Sequence, residues 1–485
     1  MRMKKNERGA VSIYLTLMMA VLIPLLVTMI ESARVNAIKL RLECAADLSM
    51  DSVLAEYNKA LFDRYDLLFV DTMYDGGNGS MDKMLDHLDG YLEYNIKPDK
   101  GLPVFGNRDI TRLSLVSSEA VKVHRAPDEC GAVFRYMAMS YMLEKYGLAY
   151  AADIQDLVEA SAGEEFHSVD VGAELQAAQD GVDAIVYPKP DPEYDENGKE
   201  IPWTAPKKDE PASKVVAASK GFILSQFIEG DISGASADLS CYASKRGLVK
   251  GDGMCEDWKA HDSALEQILF SEYILEKCGN YIDRKDGSRL SYEAEYVIAG
   301  KENDKDNLAA VALGIMTIRG GSNLIAFQTD ETKKREAEGL AAALSFVLLL
   351  PESKAAFEQL ITYAWIYAET VYDMKVLYKG GRVPLIKKKE DWNLELGTAL
   401  LWGFEVSEGQ GEGQDYKDYL RMLLYLLPLE YKTQHCMDII EMDMRQINGY
   451  GDFCMDNCIA GATVQMIFRS RYGYSFLMER RFRYG

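Results

Sequence analysis

One stretch near the start limits what this chain can become. From Ala10 to Ile30 there is no charged residue. An uncharged run of about 21 residues can cross a bilayer core of roughly 30 Å as a helix. Arg2, Lys4, Lys5 and Arg8 precede it and outweigh Glu7. The positive-inside tendency then keeps the N-terminus in the cytoplasm and puts everything after Ile30 outside. Pro24 lies within the run; its missing N–H kinks a helix, which spanning helices tolerate. A removed secretory signal is the competing reading. Against it, the run exceeds the roughly 7–15 residues of a signal core and no A-x-A site follows. Charges return at Glu31 and Arg34, and a helical pattern continues to about Arg64. Ile38, Leu42, Ala45, Leu48, Val53 and Tyr57 make one apolar face, with no Gly or Pro between Glu31 and Leu61. Span and continuation together predict a helix of roughly 50 residues, about 75 Å long.

The order of these parts resembles the TadE- and TadG-like proteins of Tad (Flp) pilus loci. Those begin with a basic tail and Arg-Gly, then an apolar span, an acidic residue and an Arg at its end, and a motif like L-Q-x-A-A-D-A-A. Here the matching residues are Arg8-Gly9, the span, Glu31 and Arg34, then Leu42-Glu43-Cys44-Ala45-Ala46-Asp47. The match covers roughly the first 55 residues. The remainder, with Tyr292-Glu293-Ala294-Glu295-Tyr296-Val297-Ile298 and Gly300, looks like a family of large pilus-locus membrane proteins from Gram-positive bacteria. The resemblance implies a pilin-like spine and a processing site between Gly9 and Ala10. It also implies partners among pilus or secretion proteins, with self-association through the N-terminal helix. One position departs from it: prepilin-peptidase substrates carry Glu five residues after the cleaved Gly, and this chain has Tyr14.

The fold class expected is α+β, a long membrane-spanning helix followed by a mixed ectodomain of helices and antiparallel strands. The expected segments are a cytoplasmic tail (1–8), the span (9–30), its amphipathic continuation (31–64), a first ectodomain part (65–187), a Pro-rich linker or loop (188–212) and a second part (213–485). Six of the thirteen prolines fall between Pro188 and Pro211, which reads as extended, solvated chain. Residues 173–185 and 213–228 read as helical arms joined by that loop.

Helices are expected at Asp82–Tyr94, Cys130–Leu148, Asp262–Lys277, Asn307–Ile318 (capped by Asp304 or Asp306, ended by Gly320-Gly321) and Ser353–Asp373. Strands are expected over Thr111–His124, with Leu113, Leu115, Val121 and Val123 alternating, and around Val464, Met466 and Phe468, closing on Tyr472 and Tyr474. Asn280–Ile298 reads as a hairpin turned at Asp286-Gly287. Leu340–Leu350 and Leu420–Leu429 are apolar but too short to cross a bilayer, and read as core helices.

A net charge of −22 argues against a nucleic-acid partner, because phosphate binding needs a basic surface. Eight cysteines in an oxidising compartment make some pairing expected, with buried free thiols as the alternative. The preferred bridge joins Cys436 to Cys454 or Cys458 across a short polar loop.

Catalytic signatures are lacking: there is no G-x-S-x-G, H-E-x-x-H, phosphate loop or G-x-G-x-x-G before a helix. No cofactor and no metal site is expected. His435 and Cys436 with Cys454 and Cys458 have zinc-like spacing, but thiols or disulfides fit an extracytoplasmic site better. Asp231-Ile232-Ser233-Gly234-Ala235 resembles the D-x-S-x-S cation motif, yet Ala235 stands where the second hydroxyl is needed. Asp195-Glu196-Asn197-Gly198 mimics a calcium loop, but Thr204 replaces the bidentate Glu. Glu293 with Glu295, and Glu369 with Asp373, are carboxylate pairs, read as solvated faces rather than acid–base pairs. The function expected is therefore a non-enzymatic pilus or secretion component in the cell membrane. A tethered envelope hydrolase and a surface adhesin are the alternatives.

Overall fold

The computed structural model describes residues 5–74, 77, 79–96, 113–161, 224–258, 263–401, 406 and 411–484. The Pro-rich segment 188–212, the arm 173–185, the calcium-like loop, His167 and His261 lie outside the described residues. So does the arm 213–228 up to residue 223. The fold is mixed α and β. It divides into two compact units, Met1–Met137 with Leu248–Lys259 and Asn448–Gly485, and Ala138–Gly247 with Ala260–Ile447. This division cuts across the expected one: the last strands of the chain belong with its first helix.

The first unit is built on α1 (Lys5–Leu54), a single helix of 50 residues that runs through Pro24. The stretch from Val11 to Ile30 has nothing packed on it: Ile13, Leu17 and Val21 are 65–70% exposed. By length and apolarity it can cross a membrane. Beyond it, Ile38, Leu42, Ala45, Ala46, Met50 and Val53 are buried.

The helix was expected to reach about Arg64, but it ends at Leu54. The Asn58 N–H donates to the Phe69 carbonyl (2.8 Å), and the Asn58 side chain accepts from the Leu61 N–H (3.0 Å), capping a new helix, α2 (Lys59–Tyr65). The break is made by a cap rather than by Gly or Pro.

After β1 (Val70–Asp71) and α3 (Met81–Ile96) comes β2 (Leu113–Arg125), then β3 (Cys458–Ser470) and β4 (Ser475–Arg483) from the end of the chain. All pairings are antiparallel. β3 is central, with β2 along one edge and β1 followed by β4 along the other. Val464, Met466 and Phe468 alternate inward as expected and meet the α1 stripe with Leu88 and Leu92 of α3. Val121, expected on the inner face, is 47% exposed. The register skips it between Ala120↔Val464 and Lys122↔Thr463, so it is the extra residue of a bulge. The second arm of the C-terminal hairpin, β4, was not anticipated.

The second unit is helical. It takes the later part of α4 (Asp128–Ser161), then α5 (Ser263–Lys277), α6 (Glu293–Ala299), α7 (Asp304–Thr329), α8 (Glu331–Val347) and α9 (Lys354–Tyr378). α10 (Leu396–Leu401), α11 (Tyr416–Leu426) and α12 (Leu429–Met444) complete it. One core gathers Phe327, Ala341, Phe357, Ile361 and Trp365. The Trp365 indole N–H donates to the Leu394 carbonyl at 2.9 Å.

Three expectations fail here. The expected strand at Tyr292–Ile298 is helix α6, closed by Gly300 in the left-handed region (φ 61°). Tyr292, Glu293, Ala294, Glu295 and Tyr296 are all buried, so the alternation has no solvent face to define a strand. α7 is capped by Asn303, not Asp304 or Asp306, and continues through Gly320-Gly321 to Thr329. Arg319, Ser322 and Asn323 flank the two glycines and hydrogen-bond to α9 or to the chain after it, holding the helix there. The end of α8 is not core: Phe346, Val347 and Leu349 are 72–82% exposed. α7 is also apolar and long enough to cross a membrane, but just over half of its most apolar stretch is buried inside its own unit.

Candidate functional site

Of the residues that carried the resemblance, Glu31, Arg34, Leu42, Ala45, Ala46 and Asp47 lie along one seam between α1 and the β3–β4 hairpin, whereas Arg8 and Gly9 lie at the other end of α1. Glu31 and Arg34 sit one turn apart, and the Arg34 guanidinium donates to Glu31 Oε2 at 2.8 Å. The hairpin turn reaches both. The Arg34 Cζ lies 4.6 Å from the centre of the Tyr472 ring, a cation–π distance. The Tyr474 hydroxyl hydrogen-bonds to Glu31, whose negative charge raises the tyrosine above its ordinary value. The turn needs Gly473, at φ 86°. It is closed by Ser470 N–H to the Tyr474 carbonyl at 2.8 Å.

Farther along the seam, Arg480 Nε donates to Asp47 at 2.9 Å, with Glu43 4.0 Å from the same guanidinium. Leu42, Ala45 and Ala46 are buried beneath this row. The Tyr484 hydroxyl donates to the Leu54 carbonyl at the far end. The apolar span thus ends in an ion pair embraced by two tyrosines, and the small side chains of Ala45 and Ala46 let the sheet lie close. Gly9 is an exposed position within α1. The sequence showed the α1 half of this seam. It also carried a hint of the other half, a Tyr-Gly-Tyr turn followed by Arg480, which lies opposite Glu43 and Asp47.

A second feature lies in the helical unit. An open polar groove of about 640 Å³ is lined by Asp238, Lys245, Lys301, Glu302, Asn303 and Asp306, among others. It borders the end of α6 and the start of α7. Gly300 is required there: a Cβ would come within 2.6 Å of His435 Nε2 and 2.7 Å of the Tyr431 hydroxyl.

The acids of α6 do not line the groove. Glu293 accepts from the Gly279 N–H (2.6 Å), and burial, followed by the neighbouring Asp443 charge, raises it well above the carboxylate range. Glu295 accepts from the Tyr281 N–H (2.8 Å) and the Tyr416 hydroxyl (2.7 Å), and burial pushes it up to about 7. Glu369 and Asp373, expected on a solvated face, are also buried. Lys387 Nζ donates to both, and Arg319 Nη2 reaches Asp373 at 2.9 Å. Burial acts to raise Asp373, but the charges of Arg319 and Lys387 outweigh it and hold the group below its ordinary value. All four carboxylates therefore brace helices rather than face open space.

All eight cysteines are free thiols. The expected bridge from Cys436 to Cys454 or Cys458 is not formed: Cys454 and Cys458 direct their thiols to the Asp452 and Cys454 carbonyls. Among the described residues, no group of three or more His, Cys, Asp or Glu side chains is arranged to hold a metal. Ser233, from the cation-like motif, donates to Asp304 at 2.5 Å, while Asp231 is exposed.

A family described as a family of unknown function (DUF5702) matches residues 202–470, more than half of the chain. The chain belongs to this family. No curated protein and no solved structure matches it. The DUF5702 match takes in the groove, the buried acids of α6 and α9, and β3. It leaves out α1 and β4, and so most of the seam that carries the pilus-like residues.

Proposed function

We propose that this DUF5702 protein is a non-enzymatic, membrane-anchored component of a Tad-type pilus or secretion apparatus. Its bulk lies outside the cytoplasmic membrane and acts through protein–protein contacts. The observation that carries the reading is the division of labour within α1. Its first half is an uncovered apolar rod of spanning length; its second half is the spine of an antiparallel sheet. Covering the first half takes lipid or neighbouring copies of the same helix, as in a pilin-like assembly. Tyr472 and Tyr474 gather where the rod ends, and tyrosines favour the membrane–water boundary. A hydrolase would need an acid with raised affinity for protons facing a cleft; Glu293 and Glu295 have that affinity but are sealed in the core.

Two measurements test the reading. Sequencing the mature N-terminus from membranes should give Ala10, for pilin-type processing, or Met1, for a permanent anchor. A start near Ala33 means a removed signal and overturns it. Deletion of the protein should abolish pili or secretion, and a deletion strain with normal piliation overturns the assignment.

A further inference from the structure

The turn that ends α8 is apolar and open. From Gly339 to Pro351 the chain carries no charge. Phe346, Val347, Leu348 and Leu349 follow one another at 81%, 72%, 50% and 82% exposure. Successive residues of a helix step by about 100°, so these side chains fan around the end of α8 instead of lining one face. A protein docked on one side would leave part of the group in water. A medium that encloses the turn covers all of it.

The turn is built to enter such a medium. Its N–H groups are satisfied from within: Leu348 donates to the Leu344 carbonyl at 2.9 Å, Leu349 to Phe346 at 3.2 Å and Leu350 to Ser345 at 2.8 Å. The Ser345 hydroxyl donates to the Ala342 carbonyl at 2.9 Å. Lipid tails offer no hydrogen bonds, so only a turn that supplies its own can enter them cheaply. The charges that flank the run on α8 and α9, Glu338 and Lys354, pair with each other at 2.8 Å. Glu352, exposed beside Pro351, belongs at headgroup level. The last two backbone bonds form the helix-ending motif whose left-handed position is usually glycine. Here Leu349 fills it, at φ 58°. A leucine there is strained, and in water it exposes apolar surface. An outlier of this kind points to a use outside the fold.

We propose that the Phe346–Leu349 turn is a membrane-insertion tip, whose side chains enter the acyl chains of one bilayer leaflet and give the helical unit its own hold on the membrane. The uncharged run of 13 residues is too short to cross a bilayer but suits an interfacial segment. No cation lies in it, so apolar contact drives insertion and neutral lipid suffices. The proposal rests on the reading above that α1 anchors the chain in a bilayer.

The test uses the full chain reconstituted in phosphatidylcholine vesicles, with and without brominated acyl chains, which quench tryptophan on contact. Phe346→Trp reports the tip, Leu17→Trp reports α1, and the parent protein supplies the background. The emission added by Phe346→Trp should move to shorter wavelength and be quenched by the brominated chains. Ile282→Trp, at a site 45% exposed in the same unit, should stay unquenched. Leu349→Asp, added to Phe346→Trp at an exposed position that folding does not depend on, should reduce the quenching. Quenching of Leu17→Trp without quenching of Phe346→Trp overturns the proposal and leaves the anchor standing. A wavelength shift of Phe346→Trp without quenching means that protein, such as a second copy, covers the turn, and also overturns it. Equal quenching of Ile282→Trp and Phe346→Trp removes the tip's distinction and does the same. If neither Leu17→Trp nor Phe346→Trp is quenched, anchor and tip fall together. Quenching of Phe346→Trp alone keeps the tip and refutes the anchor.

Discussion

Arg480 on β4 directs its guanidinium at the Asp47 carboxylate, 2.9 Å away, and so fastens the last strand to the first helix. The pair is partly solvated, with side chains 31% and 62% exposed, so water screens it. Arg480→Ala should cost less than about 1 kcal/mol in urea unfolding. Ala46, fully buried beneath the same seam, tolerates no extra volume. Ala46→Leu should cost roughly 1–3 kcal/mol. The reverse order of the two costs would mean that charge, not close packing, joins helix and sheet.

Stability should fall as pH rises through the range where Glu295 ionises. Burial raises this acid from an ordinary value of 4.5 to about 7, so the folded state binds its proton more tightly than the unfolded state. The native state is then favoured below pH 4.5 by roughly 3 kcal/mol relative to pH above 7, the loss falling between those values. Glu293 is shifted the same way and adds to the slope. Urea titrations at pH 5, 6, 7 and 8 should show the decline. Glu295→Gln should gain on the parent protein between pH 5 and pH 8. A stability difference constant with pH would refute the raised value.

Lys387 is the cation between two buried carboxylates, Glu369 and Asp373. Removing it strands negative charge in the core. Lys387→Met should cost roughly 3–5 kcal/mol, read as a lowered urea midpoint. Adding Glu369→Gln should restore part of that loss. If Lys387→Met is neutral, water reaches the site and the ion network is not the brace it looks like.

Leu349 holds a left-handed backbone at φ 58° with its side chain 82% exposed. Its burial contributes little, and its backbone is strained. Leu349→Asn should be neutral or stabilising by up to about 1 kcal/mol, while β-branched Leu349→Ile should lose about 1 kcal/mol. Thermal melts rank the pair, and a more stable Ile variant would contradict the strain.

The rod of α1 was legible because nothing but lipid or another apolar face suits 21 uncharged residues, roughly the length of a bilayer crossing. The inner face of β3 from Val464 onward was legible for a related reason: Val464, Met466 and Phe468 are core, while Ile467 and Arg469 meet water. Legibility failed where that contrast vanished. In α6 both sides are buried, so Tyr292, Ala294 and Tyr296 alternated with glutamates that are also inside. The carboxylates of α9 misled in the same way, since a buried acid and a solvated one look alike until Lys387 and Arg319 are brought to them. Val121 turned outward through a bulge, which local pattern does not reveal. The seam was half visible, because its second half waits more than four hundred residues downstream.

That separation has a consequence for synthesis. The apolar half of α1 leaves the ribosome long before the sheet, while its inward stripe of Ile38, Leu42 and Ala46 waits for β3 and β4, more than four hundred residues later. Until those residues are made, the stripe is without its sheet. A nascent chain arrested before Cys458 would be unfinished, exposing that stripe to chaperones, proteases and neighbouring copies.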